Sequence, residues 1–146
     1  VYVVPKVAGA IEGEGLKIHR VQGKAEPQDL DGISGGRHLW WHEGMQPGDA
    51  LTVAFRAPKA GKYQVMGRFV SARDYGIHQL AINGKKAGEP IDFYNPSVKP
   101  TQERNLGTFE LRQGDNELST TVVGANEKAV KSYMFGLDYL LLKPVE

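Results

Sequence analysis

The chain has 146 residues, the size of one ordinary domain with a single core, and its 18 Lys+Arg against 17 Asp+Glu leave a net charge of +1. That balance provides no electrostatic footprint for nucleic acid, and no apolar run approaches the roughly 20 residues that cross a bilayer. There is no cysteine, so disulfides and thiol chemistry are excluded.

The amino end, VYVVPKVAGA, lacks the charged and apolar regions of a signal peptide, and residues 1–146 read as one domain, mature or excised from a larger protein. AIEGEGLKI is the first strand expected; on it Glu12 and Glu14, two apart, project to one face and form a candidate pair of oxygen ligands for a hard cation. Residues 19 to 36 read as irregular. Within them DLDG resembles a fragment of a calcium loop without its later ligands, and GISGG matches G-x-S-x-G. That match gives no nucleophile at Ser34, because a nucleophile elbow needs a strand, a sharp turn and a helix on an α/β sheet.

HLWW follows as a strand bounded by glycines. On a helix His38 and His42 would lie one turn apart and share a metal ion; on a strand they stand about 13 Å apart, too far for one coordination sphere. Alternation then sends Leu39 and Trp41 to the core and His38, Trp40 and His42 to the other side.

ALTVAFRAP and KYQVMGRFV make the clearest hairpin, with Leu51, Val53 and Phe55 on one face, a turn over Pro58 to Gly61, and Tyr63, Val65 and Phe69 alternating again. Next come GIHQLAI, closed by an Asn83-Gly84 turn, then EPIDFYN, LGTFELRQ, ELSTTVVG and YMFGLDYLLL. Residues 95 to 104 are irregular. Only NEKAVKSY, residues 126 to 133, has room for a turn of helix. His19 and His78 stand alone and read as structural or surface residues. About nine strands with dense Gly and Pro punctuation predict an all-β, two-sheet β-sandwich of jelly-roll type.

The order of E-x-E (Glu12, Glu14), SGG (Ser34 to Gly36), APKAGKYQV, AING, L-x-x-G-x-N-x-L (Leu111, Gly114, Asn116, Leu118) and GLDYLLL resembles the galactose-binding-like sandwich of family 6 and family 35 carbohydrate-binding modules. LWW, ARDYGIHQLAING, GEPIDFYNPSV, LGTFEL and YMFGLDYL also resemble the jelly-roll accessory domains of difructose-anhydride-synthase-type glycoside hydrolases and of other secreted polysaccharide-degrading proteins. The resemblance implies a secreted, periplasmic or cell-surface accessory domain that binds polysaccharide or oligosaccharide beside an attached catalytic domain. It also implies a structural calcium ion, with the opening-strand carboxylates falling on Glu12 and Glu14 and the closing-strand acid on Asp138.

A sugar ring offers an apolar face to an aromatic and hydroxyls to Asp, Asn, Arg or Glu. Loops converging at one end of a sandwich are where such groups gather, which selects Arg73, Asp74 and Tyr75 in SARDYG, Asp92, Tyr94 and Asn95 in IDFYNPS, and Trp40 and His42 beside them. Against this, Tyr75 also fits a core position, Asp74 a turn acceptor, and Asn95-Pro96 a turn initiator. A structural or interaction domain, packed on a catalytic domain or forming an oligomer, is the competing function. A glycoside hydrolase fragment ranks third, since no pair of catalytic groups is legible.

Overall fold

A computed structural model describes residues 5–145. Two antiparallel sheets face each other. The first has seven strands, running in the order β10 (Lys99–Pro100), β6 (Gly61–Ser71), β13 (Phe135–Pro144), β4 (Arg37–His42) and β3 (Lys24–Asp29). In it β11 (Arg104–Leu111) continues the β10 edge along β6, and β1 (Ile11–Glu12) adds to the β4 edge of β13. The second has six, in the order β2 (Lys17–Val21), β5 (Ala50–Ala57), β12 (Gly114–Gly124), β7 (Ile77–Ile82) and β8 (Lys85–Lys86), with β9 (Ile91–Asp92) also on β7.

Alternation decides which side chains meet between the sheets. Leu51, Val53 and Phe55 from β5 and Tyr63, Val65 and Phe69 from β6 are all buried in one core, as the hairpin pattern requires. Trp41 is fully buried and donates its indole N–H to the Gln22 carbonyl at 2.6 Å, so its one polar atom is satisfied. Trp40, its neighbour, is only half-buried and packs at the margin of the core, as the alternation predicts, but His38, expected on the same side as Trp40, is fully buried. Asn83 (φ 48°) and Gly84 (φ 82°) both adopt left-handed backbone, which is what a two-residue hairpin turn demands. The buried Asn116 donates to the Arg112 and Gly114 carbonyls and accepts from Arg112 N–H and the Asn83 amide. It thereby ties the β11–β12 turn to the β7–β8 turn, which accounts for the G-x-N spacing.

Four expectations change, the simplest being that residues 95 to 104, read as irregular, contain β10, which pairs with the end of β6. Glu12 and Glu14 do not share a strand, because residues Gly13–Gly15 form a 3-10 turn. Gly13 lies so close to β13 that a Cβ there would collide with the Leu137 carbonyl oxygen, and the chain turns at this contact instead of continuing extended. Part of the segment read as irregular is β3, paired residue for residue with β4 from Lys24↔His42 to Asp29↔Arg37. Its Pro27 is tolerated because β3 is an edge strand, where one missing N–H interrupts no further ladder. Residues 126–133 form turns rather than helix. Among the described residues no helix is long and apolar enough to cross a membrane.

Candidate functional site

Two polar regions stand out. One is the carboxylate corner on the outer side of the seven-stranded sheet. A bulge between Leu137 and Tyr139 in β13 sets Asp138 out of the regular ladder. Asp138 is fully buried; the Ser34 N–H donates to its two oxygens at 3.1 and 3.3 Å, and the Arg68 guanidinium lies 3.7 Å away. The Ser34 hydroxyl donates to the Glu12 carboxylate, 3.0 Å from both oxygens, and accepts the Val7 N–H at 2.9 Å.

Burial pushes the Asp138 carboxyl up to about 7; the Ser34 N–H and Arg68 oppose this, while Glu12 and Glu14 add to it. Glu12 and Glu14 are likewise raised, chiefly by burial, and Glu14 Oε1 is buried with no hydrogen-bond partner among the described residues. Burial thus disfavours the charged form of all three carboxylates at this corner. Among the described residues no group of three His, Cys, Asp or Glu side chains is drawn together closely enough to hold a metal ion.

The second region is the loop end of the sandwich, where the β4–β5, β6–β7, β9–β10 and β12–β13 connections converge. Strand β13 lies between β4 and β6, so the sequence-selected residues fall on opposite sides of its start. On one side Trp40 stacks on His42, with ring centroids 3.6 Å apart and planes 12° from parallel. One indole face is thus covered, and His42 Nε2 lies 2.6 Å from Glu26 Oε2. On the other side Arg73 is exposed, and its carbonyl accepts from Val130 N–H at 2.8 Å; the Asp74 carbonyl accepts from Met134 N–H at 3.1 Å.

Tyr75 is corrected to a core residue: it is 4% exposed, and burial raises its hydroxyl pKa. Asp92 accepts from Tyr94 N–H and, with its other oxygen, from the Asn126 amide; Asn95 donates its amide to the Ser97 carbonyl at 2.6 Å. These two residues hold the loop in shape, whereas Tyr94 and Arg73 retain solvent-facing surface.

Between the two groups lies a cleft of about 300 Å³ lined by Glu43, Gly44, Met45, Lys131, Ser132 and Met134. None of these was selected from the sequence. Glu43 (φ 83°), in its wall, and Tyr133 (φ 56°), between two wall residues, hold left-handed backbone without being glycine, a strain that clusters at ligand-holding sites. A larger groove of about 440 Å³ runs beside Leu16, Ala54 and Phe55; of its charged groups, Arg56 and Asp115 pair with each other at 3.0 Å, and Lys17 stands at its edge. The loop-end cleft brings Glu43, Lys131 and Ser132 to one space, with the Lys131 ammonium 3.5 Å from the Ala129 carbonyl.

No sequence-family model matches the chain, and no curated protein matches it. Solved structures do. A Paenibacillus xanthan lyase matches with a TM-score of 0.83 at 22% identity, over 96% of this chain and 13% of that one. A family 35 carbohydrate-binding module from Clostridium thermocellum matches with a TM-score of 0.58 at 16% identity, over 93% of this chain and 97% of that one. The chain shares the β-sandwich fold of this family 35 module. A family 36 module, the CBM36-1 domain of a multidomain xylanase from the hindgut metagenome of Trinervitermes trinervoides, extends the likeness, with a TM-score of 0.54 at 16% identity over 94% of this chain and 97% of that one. Modules of this fold therefore occur both at the full length of this chain and as a small part of a much longer one.

Proposed function

We propose that this domain is a non-catalytic carbohydrate-binding module that holds an attached or partner enzyme on polysaccharide outside the cytoplasm. The observation that carries this reading is the end-to-end match to a family 35 module, which shares nearly the whole of both chains. Tethering raises the local concentration of substrate around a catalytic domain without any chemistry in the module itself.

The binding site in this reading is the loop-end cleft. Glu43 accepts and Lys131 donates hydrogen bonds to neighbouring hydroxyls, Ser132 does either, and Met134 receives the apolar face of the ring, with the buried Met45 behind it. Trp40 with His42 and Tyr94 with Arg73 flank the cleft and extend contact along an oligosaccharide. Glu12, Glu14 and Asp138, with backbone carbonyls, hold a structural calcium ion away from the sugar; its charge offsets the mutual repulsion of the three carboxylates.

Glycan-array binding followed by affinity electrophoresis tests the reading. Lys131→Ala and Glu43→Ala each weaken binding, while Trp40→Ala and Tyr94→Ala weaken it less. Unchanged binding in the first two moves the site elsewhere. Failure of the wild-type domain to bind any glycan favours the interaction domain, and cleavage of an oligosaccharide would restore the enzyme.

A further inference from the structure

The sequence left His78 as a lone histidine of structural or surface type, and its surroundings are more specific than that. It is fully buried on β7, facing the interior among the rings of Trp41, Phe93 and Phe135, whose centroids lie 5.6, 5.9 and 5.1 Å away. An aliphatic or aromatic side chain would suit these neighbours with no polar group to satisfy. The imidazole instead reaches across the sandwich. Its Nδ1 lies 3.0 Å from the Thr120 hydroxyl, and its Nε2 lies 3.0 Å from the Met134 carbonyl and 3.2 Å from the Tyr133 carbonyl. Carbonyls only accept, so the proton sits on Nε2 and Nδ1 accepts from Thr120.

The two carbonyls belong to the end of the loop that forms one wall of the cleft, immediately after Lys131 and Ser132. Tyr133 holds its left-handed conformation at this point, a state that persists only where neighbours over-determine it. Gly76 completes the arrangement: a Cβ there would stand 3.0 Å from Tyr133 Cα and 3.2 Å from His78 Nε2. Gly76 also donates its own N–H to the Met134 carbonyl at 3.0 Å.

We propose that His78 is a positioning residue for ligand binding: from inside the core, its Nε2–H latches Tyr133 and Met134 and so sets where Lys131 and Ser132 stand in the cleft. This rests on the cleft being the glycan site. The latch itself is a statement about the loop and is measurable without any sugar.

The experiment compares His78→Gln with His78→Asn. The Gln amide reaches the place of Nε2 and keeps a donor to the two carbonyls, whereas the Asn amide reaches only the place of Nδ1, beside Thr120. Both variants lower the melting temperature. Amide hydrogen exchange over residues 130–134 speeds up by about tenfold in His78→Asn, the effect of one lost hydrogen bond, and stays near wild type in His78→Gln. Affinity for the glycan found on the array falls by about tenfold in the Asn variant alone. Equal exchange in the two variants, or wild-type affinity in His78→Asn, overturns the proposal. If His78→Asn does not fold, Gly76→Ala carries the test by wedging a methyl between Tyr133 and His78. Faster exchange at 130–134 there supports the latch, and unchanged exchange overturns it. A wild-type domain that binds no glycan removes the functional reading, while the exchange contrast still decides the latch.

Discussion

The carboxylate corner and the loop-end cleft are both polar, yet they are built in opposite ways. At the corner, Asp138 and Ser34 are fully buried, the Ser34 hydroxyl and N–H serve two carboxylates at once, and Glu14 Oε1 has no partner among the described residues. At the cleft, Glu43 and Lys131 are exposed and strain is stored in the backbone instead. Polar groups removed from water tie their chemistry to folding stability, because each lost partner leaves an unsolvated charge. Polar groups left in water contribute little to stability and remain available to a ligand. The corner is therefore expected to govern whether the domain stays folded, and the cleft what it holds.

The largest effect expected is at the corner. Ser34→Ala removes the hydroxyl donor to Glu12 and the acceptor for Val7 N–H, and should lower unfolding free energy by about 3 kcal/mol in denaturant titration. A loss below about 0.5 kcal/mol, the scale of a surface substitution, would break the contrast.

Nearly as large is the pH response of the dry layer beneath the cleft. Burial holds His78 down at about 4 against an ordinary 6.5, with no charged side chain among its partners Thr120, Tyr133 O and Met134 O and the three surrounding rings. The unfolded chain takes up its proton first, so the contribution is complete above pH 6.5 and is lost as pH falls toward 4, by about 3 kcal/mol. His78→Phe should about halve the slope in this range, since His38, fully buried and likewise held at about 4, keeps its own share; an equally steep profile in the variant would assign the slope to other groups.

Calcium sharpens the comparison from the corner side. At a concentration one hundred times its dissociation constant, an ion bound only by the folded state adds about 2.7 kcal/mol and raises the melting temperature by several degrees, an effect reversed by chelator and abolished by Glu12→Gln. An unshifted midpoint in calcium removes the ion from Glu12, Glu14 and Asp138. The smallest stability effect belongs to the cleft: Lys131→Ala should leave unfolding free energy unchanged within error while weakening glycan binding by about tenfold. A Lys131→Ala variant that melts early but binds normally would exchange the roles of the two regions.

Much of the sandwich was legible because period-two alternation is a local property. Leu39 and Trp41 against Trp40, and the Leu51 to Phe69 hairpin, follow from it directly. β3 was not legible: KAEPQD carries no apolar alternation and includes a proline, and it is a strand only because the free edge of β4 is available to pair with it. The Glu12–Glu14 pair was read on one extended strand, and the close approach of Gly13 to Leu137, remote in sequence, turned it.

The site was less legible than the fold. Tyr75 was weighed as core or ligand contact, and the packing decided for core. Asp92 and Asn95 carry the residue types of a sugar site but serve as turn acceptor and donor, partners that depend on where Tyr94, Ser97 and Asn126 come to rest. Glu43 gave no sequence signal, and Lys131 and Ser132 lie in the segment 126–133, whose sequence leaves room for a turn of helix and which forms turns instead.

By itself, the sequence determined an all-β chain with a two-faced tryptophan strand, no thiol chemistry, and carboxylates in the opening and closing segments. Alternation, composition and turn chemistry are written residue by residue, so these needed no neighbour to be known. Tertiary structure alone decided that Ser34 joins Glu12 to Asp138, that a cleft opens between the β4–β5 and β12–β13 loops, and that a lone histidine reaches through the core to hold one wall of it. The physical reason is the same in each case: a hydrogen bond or a cleft wall joins residues tens of positions apart in the chain, and only the packing of two sheets brings them within reach.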